Sequence, residues 1–274
     1  MLYSITQAKK FSKICEVGAG PGLGARMFIG NIMKKGAYYF CSDLSDEMMK
    51  AFYRNFQNCD SALNPRVKLK WIKDFETIDV NQQVGDMGED IDKKLFLVKA
   101  NNEKLPYPDG CFDLYISSLS LEHVDNYMNQ LNESYRVLET GGVAGFTVPG
   151  RRENCNMLSL VPDVLESLGH EIPPPLHKHP TYLSDKETME KDLRNVGFSI
   201  VKMYYTEGNI IIKNVTEVKD IIIKSPNMCR NLEKLTEEQK EEFFEELQKQ
   251  WSLKYGPDTT EPLHQELLVI IATK

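Results

Sequence analysis

The sequence lacks the features that mark membrane-spanning or secreted proteins. In its 274 residues no apolar run approaches the roughly 20 residues that cross a lipid bilayer. The first residues, "MLYSITQAKK", contain neither the apolar segment of a signal peptide nor the arginine-rich pattern of a transit peptide. We therefore expect a soluble, cytoplasmic protein without a membrane span.

Patterns of paired cysteines and zinc-binding histidines are also missing. None of the six cysteines forms a C-x-x-C pair, and such scattered thiols are usually small buried side chains. The segment "HEIPPPLHKHP" contributes His170, His177 and His179, whose spacing fits no standard zinc site. We predict solvated loop histidines and no metal centre.

The charge balance argues against a nucleic-acid partner. The chain has 33 basic and 40 acidic residues, a net charge of -7, and no stretch rich in lysine and arginine. This balance argues against binding of nucleic acid through broad neutralisation of its phosphates, although it leaves a small local basic patch open. A hydrophobic content of 41% supports a sizeable core, so most of the chain is predicted to fold.

Short apolar runs alternate with helical segments over the first 150 residues. This alternation predicts an α/β fold with a mostly parallel sheet, helices on both faces and a ligand site beyond the carboxyl ends of the strands. "RVKLKWI" is a candidate extra strand, and "NQQVGDMGEDIDKK" is predicted to be a surface loop. The predicted strands are Ile14–Val17, Tyr38–Ser42, Leu95–Ala100, Phe112–Ser117 and Val143–Val148, and the helices are Leu23–Lys34, Asp46–Gln57 and Asn126–Leu138.

The pattern changes after residue 150. A helix at Leu183–Val196 and a strand at Phe198–Tyr205 precede a final strand at Leu267–Ala272. Residues 206–265 are too many for a hairpin turn, so they are predicted to form a helical insertion across one end of the sheet. We expect a single domain over residues 1–274.

A glycine-rich turn follows the first predicted strand. "ICEVGAGPGLGARMF" places Gly18, Gly20 and Gly22 between an apolar run and a helix, where a ligand can approach the backbone. A tight turn without a ligand is the alternative. Glu16 lies inside the strand, and Asp43 ends the next strand 21 residues after Gly22. In nucleotide-binding α/β sheets an acid at that place accepts hydrogen bonds from ribose hydroxyls.

Five motifs in a fixed order carry a family resemblance. They are "EVGAGPG", "SDLSDEMM", "NNEKLPYPDGCFD", "SLEHV" and "ESYRVLETGGVAGFTVPG". Together they resemble the class I S-adenosylmethionine-dependent methyltransferases of the type 11 domain group, which includes the ubiquinone and menaquinone C-methyltransferases. The resemblance is strong over residues 12–150. It implies a Rossmann-like fold with a seven-stranded sheet, S-adenosyl-L-methionine as cofactor, a cofactor-binding core at 12–150 and a substrate wall at 151–182.

The resemblance also implies roles for individual residues. The turn would hold the methionine portion and ribose of the cofactor, Glu16 would orient the turn and the ammonium group, and Asp43 would bind both ribose hydroxyls. Leu44 would pack on the adenine, whose edge Asn101 and Asn102 would line. Ser118 to Leu121 would face the methionine portion and the transferred methyl. The implied cofactor-binding residues are Glu16, Gly18, Ala19, Gly20, Gly22, Asp43, Leu44, Asn101, Asn102, Ser118 and Leu119.

His123 is the candidate catalytic residue. It follows the fourth predicted strand, where it can contact substrate or act as a general base if the acceptor must lose a proton. A surface or supporting histidine is the alternative, and Glu122 is a weaker candidate. The N/D-P-P-Y/F motif of many amino-group methyltransferases is absent, so a small-molecule acceptor is predicted. Arg151 and Arg152 could bind an acidic acceptor.

Two features leave a second hypothesis open. Only about twelve residues precede the first strand, where the family commonly has helices that cover the cofactor, and Asn101 stands where the family often has aspartate. A methyltransferase-fold protein with weak or no activity, serving as a structural subunit, would fit both. A nicotinamide-dependent dehydrogenase is a distant third, which the later motifs disfavour.

Overall fold

The computed structural model describes residues 11–31, 33–57, 67–73, 76–88, 91–170, 181–208, 210–212, 214–224, 232–256 and 262–274. The strands are β1 (Phe11–Val17), β2 (Met33–Asp43), β3 (Val67–Ile72), β4 (Lys93–Lys99), β5 (Phe112–Ser118), β6 (Leu138–Pro149), β7 (Ile200–Glu207), β8 (Ile210–Ile211), β9 (Pro262–Leu263) and β10 (Glu266–Thr273). The helices are α1 (Leu23–Asn31), α2 (Asp46–Gln57), α3 (Val80–Asp86), α4 (Tyr127–Val137), α5 (Asn156–Ser167), α6 (Lys186–Val196), α7 (Val215–Lys224) and α8 (Glu237–Tyr255).

Within these ranges, eight strands form one sheet in the order β3-β4-β2-β1-β5-β6-β10-β7. β1 lies between β2 and β5 and is parallel to both, with Val17 opposite Ser42 on one side and Ser117 on the other. The carboxyl ends of these three strands therefore meet at one edge of the sheet, where the sequence predicts the ligand site. β8 and β9 form a separate antiparallel pair.

Local sequence signals account for α2. The helix begins at Asp46 as predicted, because the Ser45 hydroxyl accepts a hydrogen bond from the Met48 N–H at 3.3 Å. Its buried residues, Met49, Phe52 and Phe56, recur at helical spacing and pack into the core beside β1, β2 and β4.

Three parts of the predicted secondary structure are wrong or incomplete. The predicted helix Leu23–Lys34 ends at Asn31, because the buried Met33 already pairs with Phe11 in the sheet. The predicted loop after residue 80 contains α3, whose first turn the Asp79 side chain caps by accepting from Gln82. The candidate strand "RVKLKWI" is confirmed, because β3 pairs in parallel with β4. It gives the sheet eight strands instead of the predicted seven.

The chain divides into two compact units. One contains the residues up to Val148, Asp185–Tyr204 and Leu268–Lys274, and the other contains Pro149–Ser184 and Tyr205–Leu267. The second unit has its own apolar cluster, in which Phe243, Leu247 and Trp251 of α8 are buried. The division predicted from the sequence into a core, a substrate wall at 151–182 and an insertion at 206–265 stays a prediction.

Two further findings concern the described residues. None of their helices is both long and apolar enough to cross a membrane. Cys15, Cys41 and Cys155 are buried free thiols and Cys111 is a half-buried one, whereas Cys59 and Cys229 lie outside the described ranges.

Candidate functional site

The glycine turn combines close packing with open space. Gly18, Gly20 and Gly22 have φ of +60°, +53° and +85°, which side-chain-bearing residues rarely adopt. A Cβ on Gly18 would lie 2.6 Å from the Ser120 hydroxyl, and one on Gly22 would lie 2.7 Å from the Phe52 ring. No described atom lies within 4 Å of a Cβ on Gly20. Gly18 and Gly22 thus serve packing, and Gly20 leaves room for a ligand.

Asp43 joins the turn to the end of β2. Its Oδ2 accepts a hydrogen bond from the Gly20 N–H at 2.8 Å, and its Oδ1 accepts one from the Ser45 N–H at 2.8 Å. The Ala19 N–H donates to the Ser42 carbonyl at 2.9 Å beside them. Each carboxylate oxygen retains capacity for a further hydrogen bond, so Asp43 can accept from two hydroxyls without releasing the turn.

Glu16 lies beneath the turn. It is only 4% exposed, and its Oε2 accepts a hydrogen bond from the Tyr39 hydroxyl at 2.8 Å. Burial raises the pKa of Glu16 to about 7, although the bonds from Tyr39 and Cys41 oppose this. A Cβ on Gly24 would collide with Glu16 Oε1, so the glycine lets α1 pack over the carboxyl group.

A buried network holds the loop after β5. The Ser117 and Ser120 hydroxyls are 2.8 Å apart, and Ser120 donates to the Val17 carbonyl at 3.3 Å. Gln130 of α4 donates to Ser117 at 3.0 Å and to the Tyr115 hydroxyl at 3.2 Å. The network therefore ties the loop to the end of β1. Sequence reasoning missed Ser117 and Gln130, for which the serine run "SSLS" is the one available signal.

Ser118 and Leu119 are fixed against β6. The Ser118 hydroxyl lies 2.9 Å from the Thr147 hydroxyl, and the Leu119 N–H donates to the Thr147 carbonyl at 2.8 Å. Leu119 has φ of +52°, a positive value shared with no other non-glycine residue in the described ranges. Such a conformation costs on the order of 1–3 kcal/mol and persists where surrounding contacts enforce it. It leaves the apolar side chain 43% exposed.

The predicted adenine-binding residues occupy two environments. Asn102 is buried, and its Nδ2 lies 3.6 Å from the position of a Cβ on Gly18. Asn101 is exposed, with its Oδ1 accepting from the Glu103 N–H at 2.9 Å. Leu44 is 61% exposed and directly follows Asp43, where a flat ligand ring can cover it. The structure thus brings Asn102 to the glycine turn, whereas Asn101 is engaged in a surface turn.

His123 ends a short 3₁₀ turn after β5, formed by Leu121–His123. Its side chain is 53% exposed, and its Nε2 lies 3.9 Å from Glu122 Oε1. The Glu122 side chain is only 2% exposed, and burial raises its pKa to about 8. An accessible imidazole therefore adjoins a buried carboxyl group at the carboxyl end of β5.

The arginines after β6 have acidic partners of their own. Arg151 forms a two-point ion pair with the buried Glu266, at 3.0 Å from Nε and 2.6 Å from Nη2. This pair lowers the pKa of Glu266 to about 2. Arg152 lies 3.9 Å from Asp163. These contacts give both side chains a structural role and do not favour the alternative that they meet an acidic substrate.

The loop histidines are only partly described. His170 is half-buried and its Nε2 is shielded from solvent, so the prediction of a solvated side chain is wrong for this residue. The structural reason is a turn at the end of α5, where the His170 N–H donates to the Leu165 carbonyl at 3.0 Å. His177 and His179 lie outside the described residues.

The strand order, the glycine turn and the acid at the end of β2 define a Rossmann-like nucleotide-binding fold, as predicted. Residues 15–146 match the family model described as a methyltransferase domain. Over these residues the chain is similar to the type 11 group of methyltransferase domains, which confirms the resemblance drawn from the five motifs.

Individual relatives agree with this assignment. The ubiquinone/menaquinone biosynthesis C-methyltransferase UbiE of Vibrio parahaemolyticus is 28% identical over 153 residues, which cover 48% of this chain and 58% of the relative. The mitochondrial 2-methoxy-6-polyprenyl-1,4-benzoquinol methylase of Leishmania donovani is 32% identical over 124 residues, covering 41% and 42%. The matched regions thus span about half the length of these curated relatives.

A solved structure supports the fold. A Bacillus halodurans protein described as a methyltransferase aligns with a TM-score of 0.59 and 16% identity, covering 100% of this chain and 96% of the other. At this identity the likeness shows the α/β fold alone.

Proposed function

We propose that this protein transfers a methyl group from S-adenosyl-L-methionine to a small-molecule acceptor. The observation that carries the proposal is the junction of Gly20 and Asp43. It places a carboxylate with spare acceptor capacity beside a glycine that faces open space, at the ends of β1 and β2. A ribose with two free hydroxyls fits this arrangement, because no described side chain obstructs its approach to the backbone at Gly20.

Other described residues fit the remaining parts of the cofactor. Leu44 offers an exposed apolar surface for the adenine ring next to Asp43. Asn102 offers a buried amide beside Gly18, and Ala19 lies within the turn. The serine loop after β5 runs along the other side of β1, where Ser118 and Leu119 would face the methionine portion. Glu16 would stabilise the cofactor's ammonium group from below the turn, as negative charge favours a nearby cation.

S-adenosylmethionine supplies a sulfonium whose methyl carbon an acceptor attacks in line. The main requirement on this chain is therefore to hold the acceptor in line with that carbon, since positioning lowers the barrier most. Leu119 presents an exposed apolar side chain from a fixed backbone and is suited to contact an apolar acceptor. His123 is accessible enough to accept a proton if the attacking atom carries one.

The names of the relatives suggest an acceptor class. The Vibrio relative is a C-methyltransferase of ubiquinone and menaquinone biosynthesis, and the Leishmania relative acts on a polyprenyl benzoquinol. Such ring acceptors are apolar and carry hydroxyl groups, which suits an exposed leucine beside an accessible imidazole. We propose a small hydroxylated ring as the acceptor class.

Calorimetric titration with S-adenosylmethionine and S-adenosylhomocysteine tests the cofactor site. We expect binding in the micromolar range for both. Transfer of a labelled methyl group to a panel of small phenols, quinols and carboxylic acids then tests the reaction. Absence of binding would overturn the proposal, and binding without transfer to any acceptor would favour the structural-subunit hypothesis.

A further inference from the structure

The turn after β5 contains both buried and exposed side chains. Leu121 and Glu122 are buried, which anchors the turn, whereas the side chain of His123 is 53% exposed. The His123 N–H also donates to the Ser120 carbonyl at 3.2 Å, and this bond fixes the backbone beneath the imidazole. The two ionisable groups approach within 3.9 Å through His123 Nε2 and Glu122 Oε1.

A glutamate at this buried position lowers the stability of the fold. Its carboxyl group is removed from water, and its Oε2 has no hydrogen-bond partner among the described residues. A buried carboxylate with an unsatisfied oxygen disfavours folding unless a nearby cation or a proton neutralises it. An apolar residue would fill the same position at lower cost, so the carboxyl group calls for a chemical explanation.

We propose that Glu122 is a positioning residue for His123, which orients the imidazole and takes up the proton that His123 removes from the methyl acceptor. The place of this pair in methyl transfer rests on the proposed function. The pairing itself does not, because it can be measured without cofactor or acceptor. The distance of 3.9 Å is longer than a hydrogen bond, and catalytic contacts are often long before a substrate binds.

The proton balance of the step is as follows. The bond between hydrogen and the acceptor atom breaks, its electrons form the bond to the methyl carbon, and the carbon–sulfur bond breaks with its electrons on sulfur. The proton arrives at Nδ1 of His123, and the proton on Nε2 passes to Glu122. Before the step Glu122 is a carboxylate and the His123 imidazole is neutral. After the step Glu122 is a neutral carboxyl group and the imidazole is again neutral.

The physical advantage lies in the buried charge. Burial raises the pKa of Glu122 to about 8, so the carboxylate that this step needs forms as the pH rises through about 8. That carboxylate holds a proton more tightly than an exposed glutamate or an isolated histidine would, which makes it the stronger base. Because the reaction removes the buried charge, the pair favours completion of proton transfer.

Neighbouring acids on the adjoining elements have other partners. Glu103 accepts hydrogen bonds from the Asp125 N–H at 2.8 Å and from the Asn129 amide at 3.1 Å. Asp192 of α6 accepts from the Tyr127 hydroxyl at 2.7 Å. Asp125 is exposed and therefore well screened by solvent. Among the described acids, Glu122 is therefore the one whose carboxyl group is shown closest to the His123 imidazole, at 3.9 Å.

An NMR titration of the histidine ring protons tests the pair in the whole protein. Loss of one signal in His123→Gln assigns the resonance. We expect two inflections for His123 in the natural sequence, one from its own ring and one near pH 8 from ionisation of the neighbouring carboxyl group, and only the first in Glu122→Gln. Asp125→Asn is the matched control and should keep both inflections.

Identical His123 titrations with and without the Glu122 carboxyl group would overturn the proposal. Glu122→Asp, which keeps the acid, should retain the second inflection and guards against a folding defect in Glu122→Gln. If an acceptor is identified, Glu122→Gln should lower kcat more than tenfold with KM and cofactor affinity within about twofold. Failure of the protein to bind S-adenosylmethionine would refute the proposed function but leave the NMR result interpretable.

Discussion

The backbone N–H of Gly20 donates to Oδ2 of Asp43 across 2.8 Å, which links the glycine turn of β1 to the end of β2. One bond therefore ties the place where a ligand can approach the backbone to the carboxylate that would bind it. The relationship spans 23 residues of sequence, and its consequences can be tested at both partners.

Replacing Asp43 should abolish cofactor binding. Asp43→Ala removes the acceptor for two ribose hydroxyls, and hydrogen bonds to a charged group contribute about 1.5–3 kcal/mol each. We expect Kd for S-adenosylmethionine to rise about 100-fold or more by calorimetry. Asp46→Ala is the control, because Asp46 lies in the same segment but forms an exposed ion pair with Lys99. An equal loss in both variants would assign Asp43 a general electrostatic role only.

A methyl group on Gly20 should block the cofactor. Gly20 and Gly36 both have positive φ, and neither would bring a Cβ within 4 Å of another described atom. Gly20→Ala and Gly36→Ala should therefore destabilise the fold similarly, by about 1–2 kcal/mol of backbone strain. Only Gly20→Ala should also weaken cofactor binding, by more than tenfold. Unchanged Kd in Gly20→Ala would show that the open space is not the cofactor site.

The buried carboxyl of Glu16 should make stability depend on pH. Burial raises its pKa from an ordinary 4.5 to about 7, so the folded state binds the proton more tightly than the unfolded state. Stability should fall as pH rises from about 4.5 to about 7, and the cost above pH 7 is about 3 kcal/mol at most.

Urea unfolding of the cofactor-free protein at pH 5 and pH 8 measures this cost. Glu16→Gln should match the natural protein at pH 5 and exceed it at pH 8, because the amide carries no charge. Glu47→Gln, at an exposed position of α2, is the control and should change the free energy of unfolding by the same amount at pH 5 and at pH 8. If Glu16→Gln changes the free energy of unfolding equally at pH 5 and pH 8, the Glu16 carboxyl group is already ionised in the folded protein at both pH values, which would contradict the raised pKa.

Arg151 should contribute more than Arg152 to the stability of the second unit. Arg151→Ala leaves the carboxylate of Glu266 without its cation, so the free energy of unfolding should fall by more than in Arg152→Ala. Arg152→Ala breaks only an exposed pair and should cost less than about 0.5 kcal/mol. Thermal unfolding of both variants measures the difference.

The Arg151 effect should also depend on pH in the acid range. The pKa of Glu266 is lowered to about 2 from an ordinary 4.5, so its contribution is present above pH 4.5 and is lost as pH falls toward 2. The difference in the free energy of unfolding between Arg151→Ala and the natural protein should therefore become smaller below pH 4.5. Equal losses for the two arginines at pH 7 would refute the structural role.

Predictability differed between elements for physical reasons. α2 could be bounded from sequence because its cap and its apolar spacing are local signals. The end of α1 could not be predicted, since Met33 lies in the sheet through its pairing with Phe11, 22 residues earlier in the chain. α3 was missed because its seven residues are mostly polar and depend on a single cap at Asp79.

The candidate site shows the same division. The order of the motifs indicated that the glycine turn, Asp43 and the serine loop belong to one site. Which glycine faces open space, and which ones pack against Ser120 and Phe52, depends on chain segments far apart in sequence. The burial of Glu122 beside an exposed His123 likewise has no local signal.

The sequence by itself determined the alternation of strands and helices and the resemblance to a methyltransferase domain, because these depend on local residue patterns. Only the tertiary structure decided the eighth strand, the ion pair of Arg151 with Glu266 and the burial of Glu122 beside the exposed His123. Burial and charge compensation arise when distant or differently oriented groups are packed together, and a linear pattern does not record that packing.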